Sequence, residues 1–364
     1  MALRKIDYLE WARTHMGRVK FDLAKSNVKP VTREELGLAP GDVPLSAPGE
    51  EGFPELREIL AGRYGVPPSN VLVTGGATMA IYLACAALLD PGHQVILESP
   101  NYEPLYRAAT ARGAEVSMLE RRFERGFQIE MEEVERSVSR ATKAVFLTNL
   151  HNPSGAATSP EKMLSIGQIA RDAGAVVVSS EVYLDNALVP GLKPAAAFGP
   201  SLVSIGSLSK VYGLGGIRIG WMVGTEAVIR KARLALDYVE CDLPAPSEAI
   251  AAAALRKADV LAERCRRIAG RNFGIVREWL SRRDDLRWVE PDGGTVCMVK
   301  LPPGVDAMAL STLLRERFST LVVPGEFFWI KGFIRISCGM DEDVLRQGLR
   351  NVAKGIDQIK SRGA

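Results

Sequence analysis

The sequence predicts an α/β protein: a large domain with a mainly parallel, mixed sheet covered by helices, and a smaller α+β domain formed by the N- and C-terminal segments. Three observations carry that expectation. Seven short apolar runs have the length and composition of strands buried on both faces: VLVTG from Val71, QVILES from Gln94, AEVSML from Ala114, KAVFLTN from Lys143, AVVVSS from Ala175, LVSIGS from Leu202 and IGWMVG from Ile219. Stretches of helical period separate most of them, such as ATMAIYLACAALL after Gly76 and PEKMLSIGQIARDAG after Ser159, where Ser-Pro supplies a cap and a first-turn residue. Finally, 364 residues exceed the size at which one core stops growing, which favours two domains sharing a cleft. Ligands of such a sheet belong at the carboxyl ends of its strands.

Beyond Glu226 the pattern changes to long helical stretches through LDYVECDLPAPSEAIAAAALRKADVLAERCRRIAGRNFGIVREWLSRR. Three shorter strand-like runs follow, TVCMVKL, STLVVP and GFIRISCG, and then a helix from Asp341. The predicted division is a large domain over 46–275 and a small one from 1–45 with 276–364, joined by the turn-rich link containing Pro40, Gly41, Pro44, Pro48, Gly49 and Gly52.

Composition narrows the partners. Forty-six basic against 43 acidic residues leave a formal charge of +3, too even for a nucleic-acid or lipid surface, so small molecules are favoured. No apolar run approaches a membrane span, and MALRKIDYLEWARTH carries charges where a signal peptide would be apolar. Cys85, Cys241, Cys265, Cys297 and Cys338 are scattered and odd in number, which suits reduced thiols and a cytoplasmic setting. His15, His93 and His151 stand too far apart to suggest a metal centre, so demanding chemistry would fall to an organic cofactor.

The candidate site residues sit where the strands end. In SLSKVYGLGGIRIGW, Ser207 and Ser209 flank Lys210 with small hydroxyls, and Arg218 follows eight residues after the lysine. Glycines between them let the backbone turn back, so that an amine suited to a Schiff base and a guanidinium suited to a phosphate converge on one ligand. Gly75-Gly76-Ala77-Thr78 lies between a strand and a helix, where backbone N–H groups offer an anion seat. Tyr102, in SPNYEPLY, presents a ring at a strand end; Asn152-Pro153-Ser154-Gly155 presents an amide at another; Tyr183 follows AVVVSS.

This order of phosphate turn, aromatic, NPSG, strand-end tyrosine and SLSK lysine resembles the class I/II pyridoxal-phosphate-dependent aminotransferases of the aspartate aminotransferase fold, fold type I. The resemblance covers roughly 49–335. It implies that Gly76, Ala77, Thr78, Ser207, Ser209 and Arg218 seat the phosphate of pyridoxal 5'-phosphate and that Tyr102 stacks on its ring. It further implies that Asn152 and Tyr183 hold the ring oxygen and that Lys210 is the covalent anchor and proton carrier. Arg335, in GFIRISCG, matches the position where the family clamps the substrate α-carboxylate, with Asn152 beside it. Phe327, Phe328 and Trp329 just upstream suit either a side-chain pocket or plain packing. The implied partners are an α-amino acid, a 2-oxo acid and a second copy of the chain in a homodimer.

Two positions depart from the family pattern. Ser180 stands where members carry the aspartate that keeps the pyridine nitrogen protonated, and a serine cannot supply that charge. Glu181 is adjacent, but strand alternation points it to the opposite face. The segment SAPGEEG around Ala47 lacks the tyrosine that reaches a partner subunit's phosphate. Amino transfer is the expected reaction. The alternatives are a lyase acting by β-elimination, β-replacement or decarboxylation, as a neutral ring nitrogen would favour, or a non-catalytic ligand-sensing protein of the same fold.

Overall fold

A computed structural model describes residues 3–39, 41–46 and 53–363. The expected strands all form. Chain order gives β1 (Phe21–Asp22), β2 (Val71–Thr74), β3 (Gln94–Ser99), β4 (Glu115–Glu120), β5 (Thr142–Thr148), β6 (Val176–Ser180), β7 (Leu202–Ser207), β8 (Gly220–Val223), β9 (Arg287–Trp288), β10 (Val296–Lys300), β11 (Thr320–Leu321), β12 (Val323–Pro324) and β13 (Phe333–Ser337). Strands β2 to β8 make one seven-stranded sheet in the order β2-β8-β7-β6-β5-β3-β4. Only β8 runs against its neighbours β2 and β7; the other pairings are parallel.

Both faces of this sheet are covered, which explains the unbroken apolar runs. Phe146 and Val178 pack with Ala80 and Ile81 of the helix Ala77–Leu88, whereas Val145 and Val177 pack with Met163 and Ile166 of the helix Pro160–Ala173. That second helix opens on the expected cap, with Ser159 Oγ accepting from Lys162 N. Side-chain parity along β6 then places Ser180 on the face of Val178 and Glu181 on the face of Val177.

The C-terminal part builds a four-stranded antiparallel sheet, β12-β13-β10-β9, whose core joins Leu23 to Phe273, Val276, Ile334, Ile336 and Leu349. The first residues of the chain are therefore shared out: Leu23 joins this core, while Val28 and Leu36 pack with Leu208, Trp221 and Leu255.

The structure differs from the sequence reading in three places. The long helical region breaks into Glu226–Leu236, Ala245–Arg256 and Ala258–Leu280, because Pro244 and Pro246 start a new helix instead of continuing the old one. STLVVP splits at Val322 into β11, which pairs with β1, and β12, which pairs with β13. The two-residue strands β1 and β9 are too short to leave a periodic signal. Ala47 and its neighbours, where the cross-subunit tyrosine is missing, lie outside the described residues. Among the described residues no helix is long and apolar enough to cross a membrane.

Candidate active site

The seven-stranded sheet delivers its strand ends to one cavity of about 320 Å³. Ala77, Thr78, Tyr102, Asn152, Ser180, Tyr183, Ser207, Ser209, Lys210 and Arg218 all line it. Gly76 and Arg335 do not line it themselves, and the structure shows what each does instead.

Gly76 is the cap of the helix Ala77–Leu88, with φ of 97°. A Cβ there would collide with the Arg218 guanidinium, so only glycine permits that side chain to close over the helix N-terminus. Gly220 lets the β8 backbone pass against the same helix start, since a Cβ on it would sit 2.6 Å from Ala77 N. Arg218 itself has a left-handed backbone, φ 56°, and donates to Gly215 O at 3.1 Å and to Gly75 O at 3.4 Å. Beside it Ser207 Oγ lies 2.9 Å from Ser209 Oγ. A helix N-terminus, two hydroxyls and a guanidinium thus meet at one end of the cavity, a set suited to an anion.

Lys210 points into the middle. Its Nζ donates to Ser26 Oγ at 2.7 Å and has no carboxylate partner among the described residues. Burial lowers its pKa to about 7, and the charges of Arg335 and Arg218 push the same way. Tyr183 lies alongside, its hydroxyl donating to Ser26 O at 3.1 Å, and burial raises its pKa. Thr295 Oγ1 donates to the same carbonyl at 2.7 Å.

Arg335 lies on β13, between β12 and β10, and is 1 % exposed. Its Nη1 donates to Asn152 Oδ1 at 3.1 Å; its Nη2 donates to Tyr8 OH at 3.0 Å and to Ala24 O at 3.1 Å. Nε has no partner among the described residues, and the guanidinium lies 4.8 Å from the centre of the Phe328 ring. It is a buried cation without a carboxylate among the described residues, reaching the cavity through Asn152 and Tyr8.

Asn152 is held from the other side by a buried chain of polar groups. Its backbone N–H donates to Thr148 Oγ1 at 3.0 Å, the Thr148 N–H donates to Glu98 Oε1 at 2.6 Å, and Glu98 pairs with Arg121 at 2.7 Å. Phe327 and Phe328 pack on Tyr8, and Trp329 on Tyr106, so the aromatic triplet serves packing and lines no part of the cavity.

Glu181 faces away, as alternation requires. Its Oε1 accepts from Ala195 N at 2.7 Å, it lines a separate chamber of about 160 Å³ with Tyr64, Tyr212 and Trp221, and burial raises its pKa to about 8. No carboxylate lines the main cavity among the described residues. Sequence reasoning missed Ser26, Tyr8 and Thr148. FDLAKSN carries no motif, and its contact to Lys210 spans 184 positions.

The family model for aminotransferase class I and II matches residues 30–352, so the chain belongs to the class I and II aminotransferase family. It is accordingly a pyridoxal-phosphate-dependent enzyme that moves the amino group of an α-amino acid to a 2-oxo acid. It is 30 % identical to the capreomycidine synthase of Streptomyces vinaceus, over 95 % of this chain and 92 % of that protein. It is 31 % identical to the arginine–pyruvate transaminase of Pseudomonas aeruginosa, over 82 % of this chain and 79 % of that protein. A crystal structure of a PLP-dependent aminotransferase from Streptococcus suis superposes with a TM-score of 0.93 at 27 % identity, covering 99 % of both chains.

Proposed function

We propose that the cavity holds pyridoxal 5'-phosphate through its large domain, 46–275, and the substrate carboxylate through its small domain, 1–45 with 276–364. The residues present fit that cofactor. Ala77, Thr78, Ser207, Ser209 and Arg218 would hold the phosphate behind Gly76, Tyr102 would stack on the ring, and Asn152 and Tyr183 would meet the ring oxygen. Lys210, whose amine burial and two arginines keep uncharged above about pH 7, would bond the aldehyde and carry the substrate α-proton. The observation that carries this reading is the convergence of these groups on a cavity that, among the described residues, is lined by no carboxylate and leaves Arg335 uncompensated beside it. The bound cofactor supplies the electron sink for charge developing at the α-carbon.

Ser180, which lines the cavity, would face the ring nitrogen. It shares its face of β6 with Val178, and Glu181 is turned into the other chamber. A hydroxyl there leaves the nitrogen without a counter-charge. This favours a second reading, a lyase acting by β-elimination, β-replacement or decarboxylation. Ser180→Asp is expected to accelerate the half-reaction with a good amino donor by about tenfold, which needs only about 1.4 kcal/mol at the transition state. Rate and cofactor spectrum are read together in single turnover. An unchanged spectrum and rate in a folded variant would show that Ser180 is not the nitrogen's partner.

We further propose a cytoplasmic homodimer. Four of the five cysteines, Cys85, Cys265, Cys297 and Cys338, are buried free thiols, as a reducing compartment permits. Leu234, Tyr238 and Val239 are exposed, and the same segment carries Glu240, whose carboxylate would meet any side chain at Gly75 beside the anion seat. An apolar patch there suits a partner subunit. A sedimentation mass equal to one 39.5 kDa chain would contradict the dimer.

A further inference from the structure

A lysine that takes up a proton from substrate and gives it back is neutral and cationic by turns. A carboxylate beside the amine would fix the cation, and an apolar wall would leave a flexible four-carbon stem without an anchor. A hydroxyl does neither, because it accepts from a charged amine and donates to a neutral one by rotating its own proton. Among the described residues, the Ser26 hydroxyl is the side-chain group that meets Lys210 Nζ: it lies 2.7 Å away, its residue is 6 % exposed, and it lines the same cavity.

Resting on the proton-carrying role proposed for Lys210, we infer that Ser26 is a positioning residue for amino transfer, its hydroxyl holding the lysine amine in place in both of its charge states. The backbone around Ser26 is fixed on both sides of that hydroxyl. Ser26 O accepts from Tyr183 OH at 3.1 Å and from Thr295 Oγ1 at 2.7 Å. Two residues on, Val28 N donates to Lys210 O at 3.0 Å, so the segment that carries the hydroxyl is bonded to the backbone of the lysine it serves. Before it, Leu23 N donates to Leu321 O at 2.9 Å and Leu23 O accepts from Ser337 N at 2.8 Å. The segment thus ties β11 and β13 to the turn after β7.

The groups facing the amine set the sign of the effect. Burial, Arg335 from β13 and Arg218 from the turn after Lys210 all disfavour the cation, while Tyr183, after β6, is kept neutral by its own burial. Ser26 opposes them, since a hydrogen bond from a charged donor is stronger than one between neutral groups. Without the hydroxyl, the amine should lose its proton at a lower pH.

The test reads the amine without cofactor and the reaction with it. Trace acetic anhydride on the apoenzyme, with Lys210 acetylation followed by peptide mass across pH, should give a midpoint of about 7 in wild type. The midpoint should fall by about one pH unit in Ser26→Ala and stay at the wild-type value in Ser26→Thr, which keeps the hydroxyl. On the holoenzyme, Ser26→Ala should lower kcat about tenfold and leave KM for the amino donor within about twofold. A midpoint that does not move in Ser26→Ala, or that moves equally in Ser26→Thr, would show that the hydroxyl is not the lysine's partner, and the inference falls alone. It falls alone too if KM rises in Ser26→Ala while kcat holds. If wild-type Lys210 itself titrates near the ordinary lysine value of about 10.4, the role proposed for Lys210 falls first and Ser26 with it.

Discussion

Lys210→Ala is expected to fold, to bind cofactor only non-covalently, and to lose amino transfer by on the order of 10³-fold or more. A positioned proton carrier alone contributes about 10²–10⁴-fold, and this lysine would also be the covalent anchor. Folding should survive because, among the described residues, the Lys210 amine makes a single side-chain bond, to Ser26 Oγ, and burial works against its charge. The same burial sets the pH dependence. Because the folded-state pKa lies near 7, below the ordinary lysine value, the amine is charged below that pH and free above it. Uptake of cofactor by the apoenzyme into a borohydride-reducible link should rise through about pH 7 and then level off. Covalent fixation of cofactor to Lys210→Ala by borohydride would show that another lysine is the anchor.

Arg335→Lys and Arg335→Ala are expected to raise KM for the amino donor by roughly ten- to a hundredfold, since hydrogen bonds involving a charged group contribute about 1.5–3 kcal/mol. Lysine keeps the charge but cannot reach Asn152 Oδ1, Tyr8 OH and Ala24 O together from one plane. Alanine leaves all three without their donor in a buried place, so it should also lower stability, by about 1–3 kcal/mol. Cofactor affinity should hold within about twofold, because Ser209 and Arg218 are untouched at the other end of the cavity. Steady-state kinetics against a cofactor titration separates the two; equal loss of substrate and cofactor affinity would make Arg335 structural.

The parts of this site that were legible in the sequence are those read locally. Lys210, its serines and Arg218 fall within one twelve-residue stretch, Ser180 ends an apolar run, and Gly76, Tyr102, Asn152 and Tyr183 each follow one long enough to announce a strand. The face of Glu181 was legible too, because a period of two fixes it. What was not legible came from far along the chain. Ser26 meets Lys210 across 184 positions, and Tyr8 meets Arg335 across 327. Glu98, Arg121 and Thr148 form their buried chain only once β3, β4 and β5 are side by side. Polar residues of this kind carry no periodic signal, since their partners and not their neighbours decide where they point. The split of STLVVP has a similar cause, as two pairing partners compete for one short run.

The central claim is that this cavity transfers an amino group. The direct measurement mixes holoenzyme with each amino acid in turn, without an acceptor, and follows cofactor absorbance and product together. Amino transfer predicts that at least one donor converts the bound cofactor to its amine form with one equivalent of 2-oxo acid and no free ammonia. Continuous release of ammonia or carbon dioxide, with the cofactor remaining in its aldehyde form for every donor, would contradict it.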